Sequence, residues 1–145
     1  MRFLKILTVV SCVLFAAGQT VYAAEAPKSK EELMEQFKTG ISVKNIDLLY
    51  GLFYMEGVSD ETKAQMKEAL GILAASEISE FTFAEVPADY DPVRVTPTGV
   101  KIAPNMEIQG FIKFNIKSAE GWEGVGSQPY GSIEGIYYLP GSLIK

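Results

Sequence analysis

The chain has 145 residues, of which 18 are acidic and 13 basic, with no histidine and a single cysteine, Cys12. The absence of histidine excludes His-based catalytic triads, histidine general bases and histidine metal sites. A formal net charge of −5 does not steer a protein toward nucleic acid or toward an anionic membrane surface. We expect no metal, no cofactor and no nucleic-acid partner.

The N-terminus has the layout of a cleaved secretory signal peptide, which we assign to residues 1–23. Arg2 and Lys5 give a basic start, an apolar run extends to Ala17, and small residues precede a cleavage site after Ala23. The run is shorter than the roughly 20 apolar residues that cross a bilayer. The sequence predicts an exported bacterial protein, periplasmic or secreted, without stable membrane insertion.

Cys12 fits a second kind of processing. The sequence from Val9 to Cys12 resembles a bacterial lipoprotein box, in which the cysteine carries the lipid, but the apolar run continues beyond Cys12. Cleavage after Ala23 is the favoured interpretation. It removes the only cysteine, so thiol nucleophiles and thiolate metal sites are excluded from the mature chain.

Two helices are predicted after a flexible leader at residues 24–28. Ser29 has the position of an N-cap for the first helix, which should end near Gly40. Asn45 opens the second helix, which is predicted to extend to about Met55.

The second helix carries two tyrosines that share a face. Tyr50 and Tyr54 lie four residues apart, with Asp47 one turn before Tyr50. Two phenols near a carboxylate could form the wall of a ligand cavity. The alternative is that both rings cap the edge of the core with their hydroxyls in water, as is common for tyrosine.

A third helix is predicted to start at residues 59–62 and to end near Ala75. Serine and acidic residues at its start suit a helix N-terminus. Its buried stripe is predicted to consist of Met66, Ala69, Leu70 and Leu73.

Beyond Ile78 the apolar period changes to two, which is typical of strands. The predicted strands span residues 80–83, 93–95, 100–102, 106–117 and 132–139. The clearest is 106–117, where apolar positions 108, 112, 114 and 116 should face the core. Residues 89–91 are predicted to form a solvated turn and residues 120–127 a glycine-rich loop.

Helices followed by strands predict an α+β fold. We expect N-terminal helices packed on one face of a curved antiparallel sheet of four or five strands, in a single domain over residues 29–145.

Aromatic residues in the second half of the chain form a candidate interaction surface. Phe111 lies among the polar positions of its strand, and Trp122 lies in the glycine-rich loop. Tyr137 and Tyr138 of the last strand could join them, because paired strands place side chains side by side. Such a patch usually marks a binding or dimer surface. The alternative is that Trp122 folds back over the sheet and Phe111 pairs with Tyr137 or Tyr138 under a loop.

The order of elements resembles the cystatin/NTF2-like α+β superfamily, as seen in small exported bacterial proteins. The segment 44–53 is similar to the helix that opens many of those domains, and segment 130–138 is similar to a last strand. The chain departs from many members because all its helices precede its strands. The resemblance implies a cavity between helices and sheet and dimerisation through the sheet. It implies no catalytic role, because the histidine used by enzymes of the superfamily is absent.

We expect a non-catalytic protein that binds a protein partner, or a second copy of itself, through Phe111, Trp122, Tyr137 and Tyr138. The alternative is a module that holds a small apolar ligand in a helix–sheet cavity lined by Tyr50 and Tyr54. A carboxylate-dependent hydrolase is the third possibility, although no set of residues meets the geometric requirements of a catalytic site.

Overall fold

The computed structural model describes residues 25–145, so the predicted signal peptide lies outside the described residues. Residues 25–28, expected as part of a flexible leader, lie against the domain. Pro27 is buried, and its carbonyl accepts a hydrogen bond of 2.9 Å from the backbone N–H of Tyr137. The N–H of Tyr137 needs an acceptor, and this long-range pairing has no local sequence signal.

Three helices begin the described chain. They span Lys30–Ser42 (α1), Ile46–Gly51 (α2) and Asp60–Ala75 (α3). The side chains of Ser29, Asn45 and Ser59 each accept a hydrogen bond from the backbone N–H three residues later. The three predicted helix starts are confirmed. None of the helices described is long and apolar enough to cross a membrane.

Helix α1 was predicted to end near Gly40, but it continues to Ser42. A Cβ at Gly40 would lie 2.6 Å from Leu49 Cδ2 of α2. Glycine at this position therefore allows α1 and α2 to approach closely, rather than ending the helix.

Eight strands form two sheets within residues 25–145. They span Phe53–Tyr54 (β1), Glu77–Ala84 (β2), Arg94–Val95 (β3), Lys101–Pro104 (β4), Gly110–Lys117 (β5), Glu123–Ile133 (β6), Ile136–Pro140 (β7) and Ser142–Ile144 (β8). The main sheet has the order β1-β7-β6-β5-β2, and the small sheet has the order β3-β4-β8. The fold is α+β, as predicted, but the main sheet is mixed because β1 pairs with β7 in parallel.

Strand β1 was predicted to be the end of the second helix. Phe53 instead lies opposite Leu139 in the parallel pair. Tyr50 and Tyr54 therefore do not share a helix face, because Tyr54 lies on the strand. The apolar spacing of a helix continues through these residues in the sequence. The helix nevertheless ends before them, because Phe53 and Tyr54 pair with the distant strand β7.

The glycine-rich segment 120–127, predicted as a loop, belongs largely to strand β6. Strand β6 pairs with β5 over eight residues, from Glu123 opposite Lys117 to Tyr130 opposite Gly110. The single predicted strand 132–139 is in fact divided by a hairpin turn. Glu134 and Gly135 occupy that turn with φ values of 52° and 79°, as a two-residue hairpin requires.

The core lies between the helices and the inner face of the main sheet. Its five largest fully buried side chains are Leu33, Phe37, Leu49, Ile112 and Leu139. Burial of each contributes about 1.5–3 kcal/mol. Ile112 and Phe114 of β5 are buried, as predicted, and Ile116 packs against them. Buried residues of α2 and β5 thus belong to one core.

Candidate functional site

A cavity of about 440 Å³ opens between α3, the inner face of the main sheet and the small sheet. We call it the edge groove, because one wall is an edge of β6. It is lined by Met66, Ala69, Leu70 and Leu73 of α3; by Phe53, Phe114, Ile116, residues 126–129 and Pro140 of the main sheet; and by Tyr90, Pro92, Arg94, residues 102–104, Gly141 and Ser142 beside it. Its volume lies within the range of roughly 300–1,000 Å³ that is usual for ligand sites.

Helix α3 provides the most regular wall of the groove. Met66, Ala69, Leu70 and Leu73 follow the spacing of one helical stripe. The sequence predicted this stripe to be buried, but only Leu70 is, while Met66 and Leu73 are half-buried and Ala69 is exposed. The stripe faces an open groove, and the sequence alone shows only that it is apolar.

The opposite wall includes a strand edge with an unusual feature. Strand β6 pairs with β5 over residues 123–130, whereas on its other side β7 pairs only with residues 131–133. Within residues 25–145, the first eight of the 11 residues of β6 have no strand partner on that second edge. Residues 126–129 of this edge line the groove.

Gly126 shapes the floor of the groove. It lies opposite Phe114 in the β5–β6 pairing. A Cβ at Gly126 would overlap the ring of Phe114 and come within 2.9 Å of Ile116 Cδ1. Glycine here lets these two side chains extend across β6, and both of them line the groove.

Arg94 is the one charged side chain among residues 25–145 that lines the edge groove, and no acidic residue lines it. Its Cα lies opposite Ile102 of β4, which also lines the groove. Arg94 takes part in neither of the two salt bridges found in this part of the chain. The groove therefore combines an apolar floor with one cation at an exposed position.

The predicted interaction surface is not assembled as one patch. Phe111 is buried, with 6% of its surface exposed, beneath the edge of the Tyr90 ring. Trp122 is 55% exposed next to the start of β6. Tyr137 lies opposite Ser132 near the other end of β6, roughly 30 Å away at about 3.3 Å per residue. The pairing of Phe111 with Tyr137 or Tyr138, weighed as the alternative, is also wrong.

Tyr137 and Tyr138 line a second groove, of about 500 Å³, with Pro27, Asp47 and other residues of the N-terminal segment and α2. Tyr137 also packs against Tyr130, with 6.4 Å between ring centroids. This second groove shares no residue with the edge groove.

The predicted cavity tyrosines lie outside the edge groove. The Tyr50 ring lies under the ammonium of Lys67, 4.6 Å from its centroid, where a cation–π contact is favourable. Tyr54 packs against Tyr138 and donates a hydrogen bond to the carboxylate of Glu56. Phe53, between these two tyrosines, is the residue of this segment that lines the groove.

The two tyrosines with displaced pKa values also lie outside the groove. The hydrogen bond to Glu56 raises the pKa of Tyr54, and burial raises the pKa of Tyr130. In residues 25–145 no group of three acidic, histidine or cysteine side chains could hold a metal ion. The edge groove offers an apolar surface, one guanidinium, the Tyr90 phenol and the side chains of Ser127 and Gln128.

No family model and no curated protein matches the chain. A solved structure from Xanthomonas campestris, described as a candidate calcium/calmodulin dependent protein kinase II association domain, matches with 14% identity. The match covers 84% of this chain and 93% of that chain, with a TM-score of 0.40. A TM-score this low assigns neither family nor function, so membership of the cystatin/NTF2-like superfamily stays a prediction.

Proposed function

We propose that this chain is an exported, non-catalytic binding protein that holds a small apolar ligand in the edge groove. The observation that carries the proposal is the open apolar stripe of α3 facing Phe114 and Ile116 across a cavity of about 440 Å³. An apolar stripe left partly exposed costs free energy unless something covers it. The proposed export rests on the signal sequence in residues 1–23.

The lining of the groove supports binding rather than catalysis. General acid–base catalysis needs a titratable group within hydrogen-bond reach of the reacting atom. The described groove contains no carboxylate, which disfavours a carboxylate-dependent hydrolase acting there. Its few polar groups suit the orientation of a ligand, as in most small-molecule sites.

Native mass spectrometry with a blocked groove tests the proposal. Ala69 is exposed on α3 and lines the groove, whereas Ala64 is exposed on the same helix and does not. Protein purified from the cells that produce it should carry a bound small molecule. We expect Ala69→Phe to lose that added mass and Ala64→Phe to retain it. Wild-type protein at the mass of the bare chain, with no thermal shift across a panel of lipids and metabolites, would contradict the proposal.

A second candidate function is contact with a protein partner, or with another copy of the chain, through the β5–β6 hairpin. Trp122 and Val125 of this hairpin are 55% and 72% exposed. Pairing through the outer face of the main sheet is less favoured, because Lys113, Asn115 and Lys117 are exposed there. If the hairpin is an interface, Trp122→Ala should abolish dimerisation or co-purification of the partner without changing the free energy of unfolding. Unchanged association would rule this interface out.

A further inference from the structure

We propose that the ligand of the edge groove is an amphipathic monoanion with an apolar part and one carboxylate, and that the carboxylate pairs with Arg94. This inference rests on the proposed function, because it names the chemical class of the ligand held in the same groove. It assigns the apolar chain to the floor and the charged end to the mouth.

The distribution of charge gives the first argument. All 18 acidic side chains of the protein lie in the described part of the chain, where they outnumber the basic ones. Among residues 25–145, however, no acidic residue lines the edge groove, and the one charged side chain in its lining is the guanidinium of Arg94. The charge of the groove lining is thus positive, whereas the net charge of the protein is negative. A positive lining is complementary to an anion.

The gradient of burial gives the second argument. Leu70 and Phe114 of the groove lining are each 5% exposed, whereas Arg94 is exposed. A ligand that follows this gradient would place its apolar chain against the floor and its polar end at the water boundary. A fully apolar ligand would gain nothing from the guanidinium, which stays in water, and a strongly polar ligand would leave the apolar floor uncovered.

The single guanidinium gives the third argument. Arginine presents two parallel N–H donors that match the two oxygens of a carboxylate. One cation balances one negative charge, so a carboxylate fits better than a doubly charged phosphate. Because Arg94 lies opposite Ile102 in the β3–β4 pairing, its Cα is held at the wall of the groove.

Isothermal titration with three probes that share one apolar chain tests the inference. The probes are decanoate, decanol and decyl phosphate, each below its micelle-forming concentration and at low salt. The proteins are wild type, Arg94→Gln, and the matched control Lys101→Gln, which removes one positive charge from the neighbouring strand outside the groove lining. Ala69→Phe reports whether any binding occurs in the groove.

We expect wild-type protein to bind decanoate about two- to fivefold more tightly than decanol, since an ion pair at an exposed arginine contributes this much. Arg94→Gln should remove most of this preference, and Lys101→Gln should keep it. Ala69→Phe should weaken the binding of both probes. High salt should narrow the difference between decanoate and decanol.

Two results would overturn this inference and leave the proposed function standing. These are equal affinity of the wild type for decanoate and decanol, or tighter binding of decyl phosphate than of decanoate. A preference for decanoate that survives Arg94→Gln would also reject the assignment of Arg94. If no probe binds, or if Ala69→Phe binds all of them as the wild type does, the proposed function itself fails and the inference fails with it.

Discussion

Tyr90 lies edge-on to Phe111, with 5.3 Å between the ring centroids and 80° between the ring planes. Aromatic pairs favour this geometry. The contact covers Phe111 on the side of the main sheet opposite the helices. Tyr90 also lines the edge groove, so the loop that carries it both covers Phe111 and bounds the candidate site.

The first prediction separates Phe111 from Trp122. Phe111→Ala removes a buried ring and should lower the free energy of unfolding by about 3 kcal/mol or more. Trp122→Ala removes an exposed ring and should change it by no more than about 0.5 kcal/mol. Urea denaturation measures both. A small effect of Phe111→Ala would show that the Tyr90 contact does not bury this ring in solution.

The second prediction concerns the glycine beneath the groove. Gly126→Ala should lower the free energy of unfolding by about 1–3 kcal/mol, because the added methyl group forces Phe114 to move. Gly71 of α3 is the matched control, since a Cβ there meets nothing within 4 Å. Gly71→Ala should raise the free energy of unfolding by about 0.5–1 kcal/mol, because alanine favours the helix.

Thermal or urea denaturation of both glycine variants provides the measurement. Equal effects of the two alanine substitutions would contradict the close packing of Phe114 across β6.

The helices and strand β5 could be predicted because their signals are local. Ser29, Asn45 and Ser59 each cap a helix through the backbone of the next turn. The alternation that includes Ile112 and Phe114 depends only on strand geometry. These features are determined within a few residues of the sequence.

The strands that were missed depend on distant partners. Phe53 continues a helical pattern, yet it pairs with Leu139. Gly124 and Gly126 suggest a loop, but they lie in a strand because Phe114 of the neighbouring strand occupies the space above Gly126. Glycine lacks the side chain that marks a strand in the sequence, and its cross-strand neighbour supplies the packing instead.

The candidate site was missed for a related reason. The stripe of α3 that contains Met66 and Leu73 was identified from its spacing, but spacing does not show whether an apolar face is covered. Tyr90 comes from a segment with proline and aspartate that predicts a solvated turn, and Arg94 comes from a short predicted strand with no sign of a site. Only the pairing of the small sheet brings Arg94 to the groove. The tyrosines proposed as a cavity wall, Tyr50 and Tyr54, were assigned on a helix that ends before Tyr54.

The third prediction concerns stability at alkaline pH. Burial raises the pKa of Tyr130 above its usual value of 10.0. The folded state therefore holds this proton more tightly than the unfolded state. The contribution of Tyr130 to stability is complete below about pH 10 and is lost as the pH rises through the folded-state pKa. The free energy of unfolding should fall over this range, and it should fall less steeply in Tyr130→Phe.

Urea titrations between about pH 9 and about pH 11 measure this dependence. The same slope in Tyr130→Phe and in the wild type would contradict the assignment of the effect to Tyr130.

The most direct measurement of the central claim uses methionine methyl groups labelled with carbon-13. Met66 lines the edge groove, whereas Met34, Met55 and Met106 do not. In a titration with decanoate followed by methyl NMR, the Met66 resonance should shift and saturate, while the other three should stay in place. A saturable shift of the other methionines without Met66, or no shift at all, would contradict binding in the edge groove.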